Sequence, residues 1–468
     1  MRSTGRGPAA GLAAAFSMVF VPSQAQEPQP PPVRPGPLET PGDPPPESPM
    51  MLPGRSAAKP IVRERFVTVQ VNVDAQGLNI VGDAANEPSI AVDPLHPERM
   101  AIGWRQFDTI ASNFRQAGVA YTADGGQHWI SAGPLQAGTF RSDPVLASDA
   151  SGVFYYYSLS TPGGQILCDL FRSNDGGKTW SGPTPAHGGD KAWTVVDRTG
   201  GVGDGNLYAE WSIFASCCGN NVLARTTDGG QTWPGPWTVP GTPIWGTLAV
   251  GVDGALYVSG RDPNGSSFLV AKSTNAQNPQ ATPTFASVQS VSLGGVLVGG
   301  GAPNPGGLCG QVWVATDPAD AQRVYLLGSV DPPGPDPLDV RFARSTDGGQ
   351  NWSASVRVND DPPTTNAWQW FGTMSVAPGG RIDVVWNDTR ATGAANVSQL
   401  YYSSSTDGGV TWSRNEPASP PWNSHLGWPN QDKIGDYYHM VSESGAAHLA
   451  WSATLNGEQD VYYTRILR

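Results

Sequence analysis

The chain has 468 residues, which is longer than one ordinary compact domain and indicates either several domains or a repeat architecture. Glycine (58 residues) and proline (44 residues) are abundant and charged residues make up only 15%, a composition typical of turn-rich all-β proteins and not of coiled coils or helical bundles. The formal net charge of -12 disfavours nucleic acid and anionic membrane surfaces as partners.

The first 65 residues have the features of an export signal followed by a linker. A short apolar run, residues 9–21, follows two arginines and precedes a Ser-Gln-Ala site at residues 23–25 of the kind that signal peptidase cleaves. We therefore predict a signal peptide over residues 1–25 and a secreted or periplasmic protein. The run is too short for a membrane anchor, so no transmembrane segment is expected. Residues 26–65 are rich in proline and predict a disordered linker.

One turn sequence recurs through the rest of the chain at intervals of roughly 50 residues. It occurs at Thr122–Trp129, Ser173–Trp180, Thr226–Trp233, Ser345–Trp352 and Ser405–Trp412, with a decayed copy from Ser273. Asp-Gly and Gly-Gly supply the positive backbone dihedrals of a tight hairpin, and the Asp carboxylate can accept N–H groups of the turn. The Trp that follows is expected to pack the turn onto its sheet. Because each Asp belongs to a separate sheet, we interpret these turns as structural and not as a calcium or catalytic array.

The strand patterns around these turns recur seven times, and the last copy begins at Asp460. Each copy predicts one four-stranded blade, so residues 66–468 are predicted to form an all-β, seven-bladed β-propeller with these turns. The seventh blade lacks its outermost strand, and the alternating segment Phe66–Asp74 is expected to supply it and to close the ring. A glycine-rich stretch at Gly294–Gly301 is interpreted as an insertion between blades 4 and 5.

The repeat also predicts where a site would form. With strands A to D running from centre to rim, the repeated turns join strands C and D, so functional residues are expected at the opposite face, where the D–A and B–C loops converge. The predicted substrate-binding residues there are Arg105, Arg115, Arg141, Asp143, Trp370, Asp388, Arg390 and Asp436. Guanidinium groups bind carboxylates, which indicates a glycan or another anionic or polyhydroxylated ligand. Four tryptophans at the ends of B strands (Trp104, Trp211, Trp386 and Trp451) are interpreted as packing residues.

The four cysteines are expected to form disulfides in an exported protein. Three pairings of Cys168, Cys217, Cys218 and Cys309 are possible, and we favour Cys168 with one of the adjacent pair. The spacing matches no common zinc pattern, so no metal site and no cofactor are predicted.

The Ser-x-Asp-x-Gly-x-Thr-Trp repeats are Asp boxes, also called bacterial neuraminidase repeats, and residues 66–468 resemble the sialidase-like β-propellers. That resemblance implies a tyrosine nucleophile assisted by a glutamate, an aspartate acid/base and three arginines around the substrate carboxylate. Tyr437 resembles the nucleophile and Asp108 the acid/base. Arg105 and Arg390 resemble two of the arginines.

The chain departs from this family in three respects. It has seven predicted blades where sialidases have six, and Asn86-Glu87-Pro88 stands where the family has an Arg-Ile-Pro motif. No glutamate partner for Tyr437 is evident from the sequence.

The leading functional prediction is a secreted, monomeric, sialidase-like glycoside hydrolase that acts on extracellular glycans. One alternative is a polysaccharide lyase in which Tyr437 or His439 acts on a uronate neutralised by Arg105 or Arg390. The other is a non-catalytic propeller that binds glycan or protein at the cell surface.

Overall fold

The computed structural model describes residues 1, 2, 5 and 59–468, except 132, 364 and 365. The described residues form an all-β structure without an α-helix, and two single turns of 3-10 helix lie at Pro162–Gly164 and Ile213–Ala215. None of these helical turns is long or apolar enough to cross a bilayer. The predicted signal peptide and most of the predicted linker lie outside the described residues.

Two N-terminal strands precede the first three blades. The N-terminal strands are β1 (Ile61–Arg63) and β2 (Phe66–Gln70). Blade 1 contains β3 (Ala84–Val92), β4 (Met100–Phe107), β5 (Gln116–Thr122) and β6 (Ile130–Ser131). Blade 2 contains β7 (Arg141–Ser148), β8 (Phe154–Ser160), β9 (Leu167–Ser173) and β10 (Ser181–Pro185). Blade 3 contains β11 (Trp193–Val196), β12 (Leu207–Glu210), β13 (Asn221–Thr226) and β14 (Trp237–Thr238).

An inserted hairpin separates blade 4 from the last three blades. Blade 4 contains β15 (Leu248–Val250), β16 (Leu256–Arg261), β17 (Phe268–Ser273) and β18 (Ser287–Val291), and the hairpin is β19 (Gly299–Gly301) with β20 (Asn304–Leu308). Blade 5 contains β21 (Trp313–Asp317), β22 (Asp320–Val330), β23 (Asp339–Ser345) and β24 (Val356–Arg357). Blade 6 contains β25 (Gln369–Val376), β26 (Ile382–Asp388), β27 (Val397–Ser405) and β28 (Glu416–Pro417), with β29 (Trp422–Asn423) also paired to β27. Blade 7 contains β30 (His439–Ser442), β31 (Ala446–Ala453) and β32 (Asp460–Leu467).

The N-terminal strand closes the ring, as the repeat count predicted. Strand β2 pairs antiparallel with β32 from Phe66↔Ile466 to Gln70↔Tyr462, so it is the fourth strand of blade 7. Strand β1 adds a fifth strand outside β2, which the sequence pattern did not predict. The prediction of a seven-bladed all-β propeller is therefore confirmed, and closure leaves each blade with a neighbour on both sides.

The Asp boxes form as their composition predicted. In the first box, Asp124 Oδ1 accepts the N–H groups of Gln127 (2.9 Å) and His128 (3.1 Å), and the Thr122 hydroxyl donates to the same oxygen at 2.8 Å. The other complete boxes repeat this arrangement, and the hydrogen bonds lower the pKa of Asp347 to about 2. The boxes lie beside the A–B turns, since Gly125 N donates to the Glu98 carbonyl at 3.0 Å.

The tryptophans at the ends of the B strands are packing residues. Trp211, Trp386 and Trp451 are fully buried and Trp104 is 2% exposed. Each indole N–H finds an internal acceptor, such as Ser216 Oγ for Trp211 (2.9 Å). Their interpretation as structural is therefore supported by burial and by satisfied hydrogen bonds.

Candidate functional site

A residue with a positive φ occurs near the start of every A strand. The positions are Glu87 (φ 51°), Asp143 (φ 43°), Lys191 (φ 55°), Trp245 (φ 57°), Gly310 (φ 138°), Phe371 (φ 59°) and Gly435 (φ 92°). The register of blades 1, 2 and 6 shifts at these residues, as in a β-bulge. Such a conformation costs about 1 to 3 kcal/mol for a non-glycine residue, so it persists only where the surrounding contacts require it.

Charged side chains from blades 1, 2, 3 and 7 meet around the axis at the face opposite the Asp boxes. We call this group the central cluster; its members are Glu87, Arg105, Arg115, Asp143, Asp190, Lys191, Lys433, Asp436 and Tyr437. All are buried, and Glu87, Arg105 and Asp143 have no exposed surface. Five of the predicted site residues therefore lie together: Arg105, Arg115, Asp143, Asp436 and Tyr437.

Asp436 is the anion at the centre of this cluster. Its Oδ2 lies 2.8 Å from the ammonium groups of both Lys191 and Lys433, and its Oδ1 accepts the N–H of Leu308 at 2.7 Å. Burial opposes its ionisation, but the two lysines hold the pKa of Asp436 well below its usual range. Asp436 is thus ionised at neutral pH, and both of its carboxylate oxygens have partners within the protein.

Glu87 is a carboxylic acid that the structure keeps protonated. Burial raises its pKa to about 8 against the opposing charge of Arg105, whose Nε lies 3.2 Å from Glu87 Oε2. Lys433 Nζ lies 3.7 Å from Glu87 Oε1 and 2.8 Å from Asp436 Oδ2, so the same ammonium group faces both acidic side chains. Gly435 allows this packing, because a Cβ on that residue would lie 2.5 Å from Glu87 Cγ.

Tyr437 is sealed inside the cluster. It is 1% exposed and its hydroxyl donates to the Pro144 carbonyl at 2.9 Å. Burial raises its pKa well above the ordinary value, and the nearby charge of Asp143 raises it further. No glutamate partner for this tyrosine was evident from the sequence, but the fold brings Glu87 close. The repeat pattern could have indicated Glu87 as this partner, because Glu87 occupies the same repeat position as Asp143.

The inserted hairpin covers the central cluster. The Asn304 side chain donates to the Gly435 carbonyl at 2.8 Å and accepts the N–H of Ile434 at 2.9 Å, and Gly306 N donates to the Asp432 carbonyl at 2.7 Å. Asn304 is itself fully buried. The expected funnel at this face is therefore filled by the protein's own backbone.

The other predicted site residues lie elsewhere. Asp108 is half-buried and accepts a hydrogen bond from Gln116 Nε2 at 2.8 Å, and burial raises its pKa. Arg141 pairs with Asp169 at 2.7 Å, and Trp370 is a fully buried packing residue that donates to Ser398 Oγ at 2.9 Å.

Asp388 and Arg390 form a separate ion-pair group in blade 6. Arg390 Nε lies 2.8 Å from Asp388 Oδ2, and its Nη1 lies 2.5 Å from Asp360 Oδ1. Arg390 is therefore paired with internal carboxylates. Arg105 is paired with the Glu87 carboxyl group and donates to the amide oxygens of Asn86 (2.8 Å) and Gln431 (3.1 Å).

Aromatic rings separate the central cluster from the other half of the axis. The ring of Trp193 lies 5.0 Å from Trp313, 5.2 Å from His439 and 5.2 Å from Tyr437 between centroids. The Ser89 hydroxyl and His439 Nδ1 lie 2.7 Å apart, and burial lowers the pKa of His439 to about 3, so the ring is neutral. We call Trp193, Trp313 and His439 the aromatic plug.

Beyond this plug, a channel of about 620 Å³ opens at the Asp-box face. Its walls are the A strands of all blades, which contribute aliphatic side chains interspersed with serine and threonine hydroxyls. Partly exposed wall residues include Ala147, Val250 and Ala315, while Arg198 and Glu443 lie at the mouth. The open cavity thus lies at the face opposite to the one expected from the sequence.

The pKa shifts in this region predict how stability depends on pH. Burial raises the pKa of Glu87 to about 8 and that of Asp460 to about 7, from 4.5 and 3.8. The folded state therefore holds both protons more tightly. This stabilisation is complete below the unfolded pKa values of 3.8 and 4.5, decreases as the pH rises above them, and is lost once the pH has passed the folded values of about 7 and 8. Asp436 and His439 have lowered pKa values. Their contributions to the free energy of unfolding are therefore complete above pH 3.8 and pH 6.5, respectively, the pKa values of the unfolded groups.

We therefore expect the free energy of unfolding to fall as the pH rises towards about 8, most clearly above about pH 6.5, where the opposing contribution of His439 no longer increases. Glu87→Gln should make that decline shallower, because the amide cannot lose a proton. Urea unfolding at a series of pH values measures both slopes, and identical slopes for wild type and variant would contradict the assignment.

The cysteine pairing favoured from the sequence was wrong. Cys217 is bonded to Cys218, and Cys168 and Cys309 are buried thiols. Cys168 lies near the pair, but its Sγ donates to the Gly189 carbonyl at 3.7 Å, while Gly188 N donates to Cys217 Sγ at 3.4 Å. The backbone at Gly188 and Gly189 therefore lies between Cys168 and the adjacent pair.

No model of a known protein family and no curated protein matches the chain. Solved structures do match it. A Dyadobacter fermentans protein of unknown function is 13% identical, covering 89% of this chain and 100% of that one, with a TM-score of 0.47. YCF48 bound to a D1 peptide is 12% identical (88% and 98% covered, TM-score 0.46), and a Trypanosoma rangeli sialidase is 13% identical (86% and 60% covered, TM-score 0.41).

The order of the sheets shows the class of protein: the chain is a seven-bladed β-propeller. Its structural neighbours include sialidases and other propeller proteins.

Proposed function

We propose that this protein is a ligand-binding propeller that accepts an extended peptide segment in the channel at its Asp-box face. The observation that carries the proposal is that the channel at the Asp-box face is open to solvent, whereas the central cluster at the opposite face is covered. The channel of about 620 Å³ is open, whereas Tyr437 is 1% exposed beneath the inserted hairpin. A cavity open to solvent is where a ligand can bind without a rearrangement of the fold.

The channel walls favour a peptide over a glycan. Partly exposed aliphatic side chains such as Val195, Val250 and Ala315 offer apolar contact to the side chains of a peptide. The hydroxyls of Ser148 and Thr316 donate to the carbonyls of Val92 and Val250, and their oxygens can also accept a hydrogen bond from a peptide N–H. The arginines predicted to bind an anionic sugar are held in internal ion pairs elsewhere. With the predicted export signal, the binding would occur outside the cytoplasm.

Narrowing the channel tests this function. Peptides selected from a randomised linear library on the wild-type protein should bind Ala147→Trp and Ala315→Trp at least about tenfold more weakly, because both residues lie in the wall. Val356→Trp, at an exposed strand outside the channel, is the matched control and should bind normally. Near-ultraviolet circular dichroism checks that each variant is folded. Equal binding by all four proteins would exclude the channel as the site.

Glycoside hydrolysis is a second candidate, favoured by the approach of Glu87 to Tyr437 beside Arg105. It requires the inserted hairpin to open. Under this candidate, a fluorogenic aryl sialoside would be cleaved, Asn304→Ala would raise the rate by loosening the hairpin, and Tyr437→Phe or Asp108→Asn would abolish it. Absence of turnover by wild type and by Asn304→Ala would exclude it.

A further inference from the structure

Three metal-binding side chains from two loops meet beside blade 3. The ligand atoms of His187, Cys217 and Cys218 all lie within 4.8 Å of one another. His187 lies in the loop between blades 2 and 3, and the two cysteines lie in the B–C loop of blade 3. Because the cysteines are joined as a disulfide in this structure, their sulfurs can bind a metal only after reduction.

Contacts other than the disulfide hold the two loops together. Cys217 N donates to the Gly188 carbonyl at 2.9 Å, and Gly188 N donates back to Cys217 Sγ at 3.4 Å. Asp190 N donates to the Ala215 carbonyl at 3.0 Å. The backbone bonds do not involve the sulfur–sulfur bond, so reduction leaves His187 close to the cysteines.

The surroundings of His187 fix which ring nitrogen can bind a metal. Its Nε2 lies 3.0 Å from the Trp233 carbonyl oxygen, which can only accept, so Nε2 carries the proton. Nδ1 therefore keeps its lone pair. The residue has a φ of 57°, and its carbonyl accepts hydrogen bonds from the Tyr157 hydroxyl and from Cys168 N, both at 3.0 Å. A histidine oriented by a backbone carbonyl is the usual arrangement around a protein-bound metal.

We propose that His187, Cys217 and Cys218 form a redox-gated site for one thiophilic ion of the Cu(I) class, open in the reduced protein and closed by the disulfide. Two thiolates and one imidazole are donors that favour Cu(I), and three ligands suit its low coordination number, whereas structural zinc takes four. The site is independent of the peptide-binding channel, since its residues do not line that channel.

The redox step balances with a small thiol as reductant. Two thiol molecules give up two electrons and two protons and become a disulfide; the Cys217–Cys218 bond breaks and both sulfurs become thiols. Binding of the ion then releases these two protons. Cys168 takes no part, because it is buried and its Sγ donates to the Gly189 carbonyl at 3.7 Å.

An anaerobic titration of the full chain tests the site. Cu(I) is supplied from its complex with bicinchoninate, whose colour reports transfer to the protein. We expect one Cu(I) per reduced chain and none per oxidised chain. X-ray absorption at the copper edge should show sulfur and nitrogen neighbours. A chain that binds Cu(I) equally when oxidised, or a spectrum without nitrogen, would overturn the proposal.

Single substitutions identify the ligands. Cys217→Ser and Cys218→Ser should each weaken Cu(I) binding by at least about tenfold, and His187→Asn should do the same and remove the nitrogen signal. Asparagine suits this variant because it tolerates a positive φ. Cys309→Ala, a buried thiol outside the group, is the control and should keep one Cu(I) per chain. Unchanged binding in the three ligand variants, or tighter binding of Zn²⁺ than of Cu(I) by the reduced wild type, would refute the assignment.

Discussion

Asp436→Asn should destabilise the protein by about 3 to 5 kcal/mol, the usual cost of removing one partner from a buried ion pair. The carboxylate of Asp436 lies 2.8 Å from the ammonium groups of Lys191 and Lys433, both of which are almost fully buried. The amide keeps the shape of the side chain but removes the charge, so two buried cations lose their shared partner. The midpoint of urea unfolding, followed by tryptophan fluorescence, measures the loss.

The matched control for this substitution is Asp320→Asn. Asp320 pairs with Arg323 at 3.2 Å, but the two side chains are 42% and 46% exposed, so the change should cost less than about 1 kcal/mol. If both variants lose similar stability, the central cluster does not act as a buried electrostatic core. Both variants replace an aspartate with an asparagine, and the two positions differ in how deeply the ion pair is buried.

Phe66→Ala should also cost about 3 to 5 kcal/mol, because Phe66 is 1% exposed and anchors the strand that closes the ring. Its ring packs against Tyr402 of blade 6 at 5.9 Å between centroids, and its backbone pairs with Ile466. The substitution leaves a cavity between blades 6 and 7 at the point where the two ends of the propeller meet. Thermal and urea unfolding measure the effect.

Val62→Ala is the control for ring closure. Val62 lies in the neighbouring edge strand β1 and is 65% exposed, so its truncation should change stability by no more than about 0.5 kcal/mol. A Phe66→Ala variant as stable as Val62→Ala would mean that the N-terminal strand contributes little to holding the ring closed.

The sequence predicted the repeat architecture because each blade carries its own local signals. The Asp-Gly-Gly turn of Asp124 and its equivalents needs no distant partner, since the carboxylate binds N–H groups three and four residues later. The assignment of Phe66–Asp74 to the last blade also followed from counting strands. The fifth strand of that blade, Ile61–Arg63, lacked such a repeat and was not predicted.

The candidate site was predicted less completely because its members come from distant blades. Repeat position predicted the face at which Arg105, Asp143 and Tyr437 meet. It did not show which side chains pair there, although Glu87 and Lys191 occupy the same bulge position as Asp143. Asp108 and Arg390 were expected at the same site, and the structure gives each a separate set of partners.

The pattern of strands and turns is enough to predict seven like sheets with Asp-box turns and an N-terminal strand that completes the last one. The reason is that periodic strands and turn chemistry act within a few residues. Which end of the axis is open depends on contacts that form only in the folded chain. The inserted hairpin hydrogen-bonds to Gly435 and Asp436, more than a hundred residues away, and no local pattern encodes such a contact.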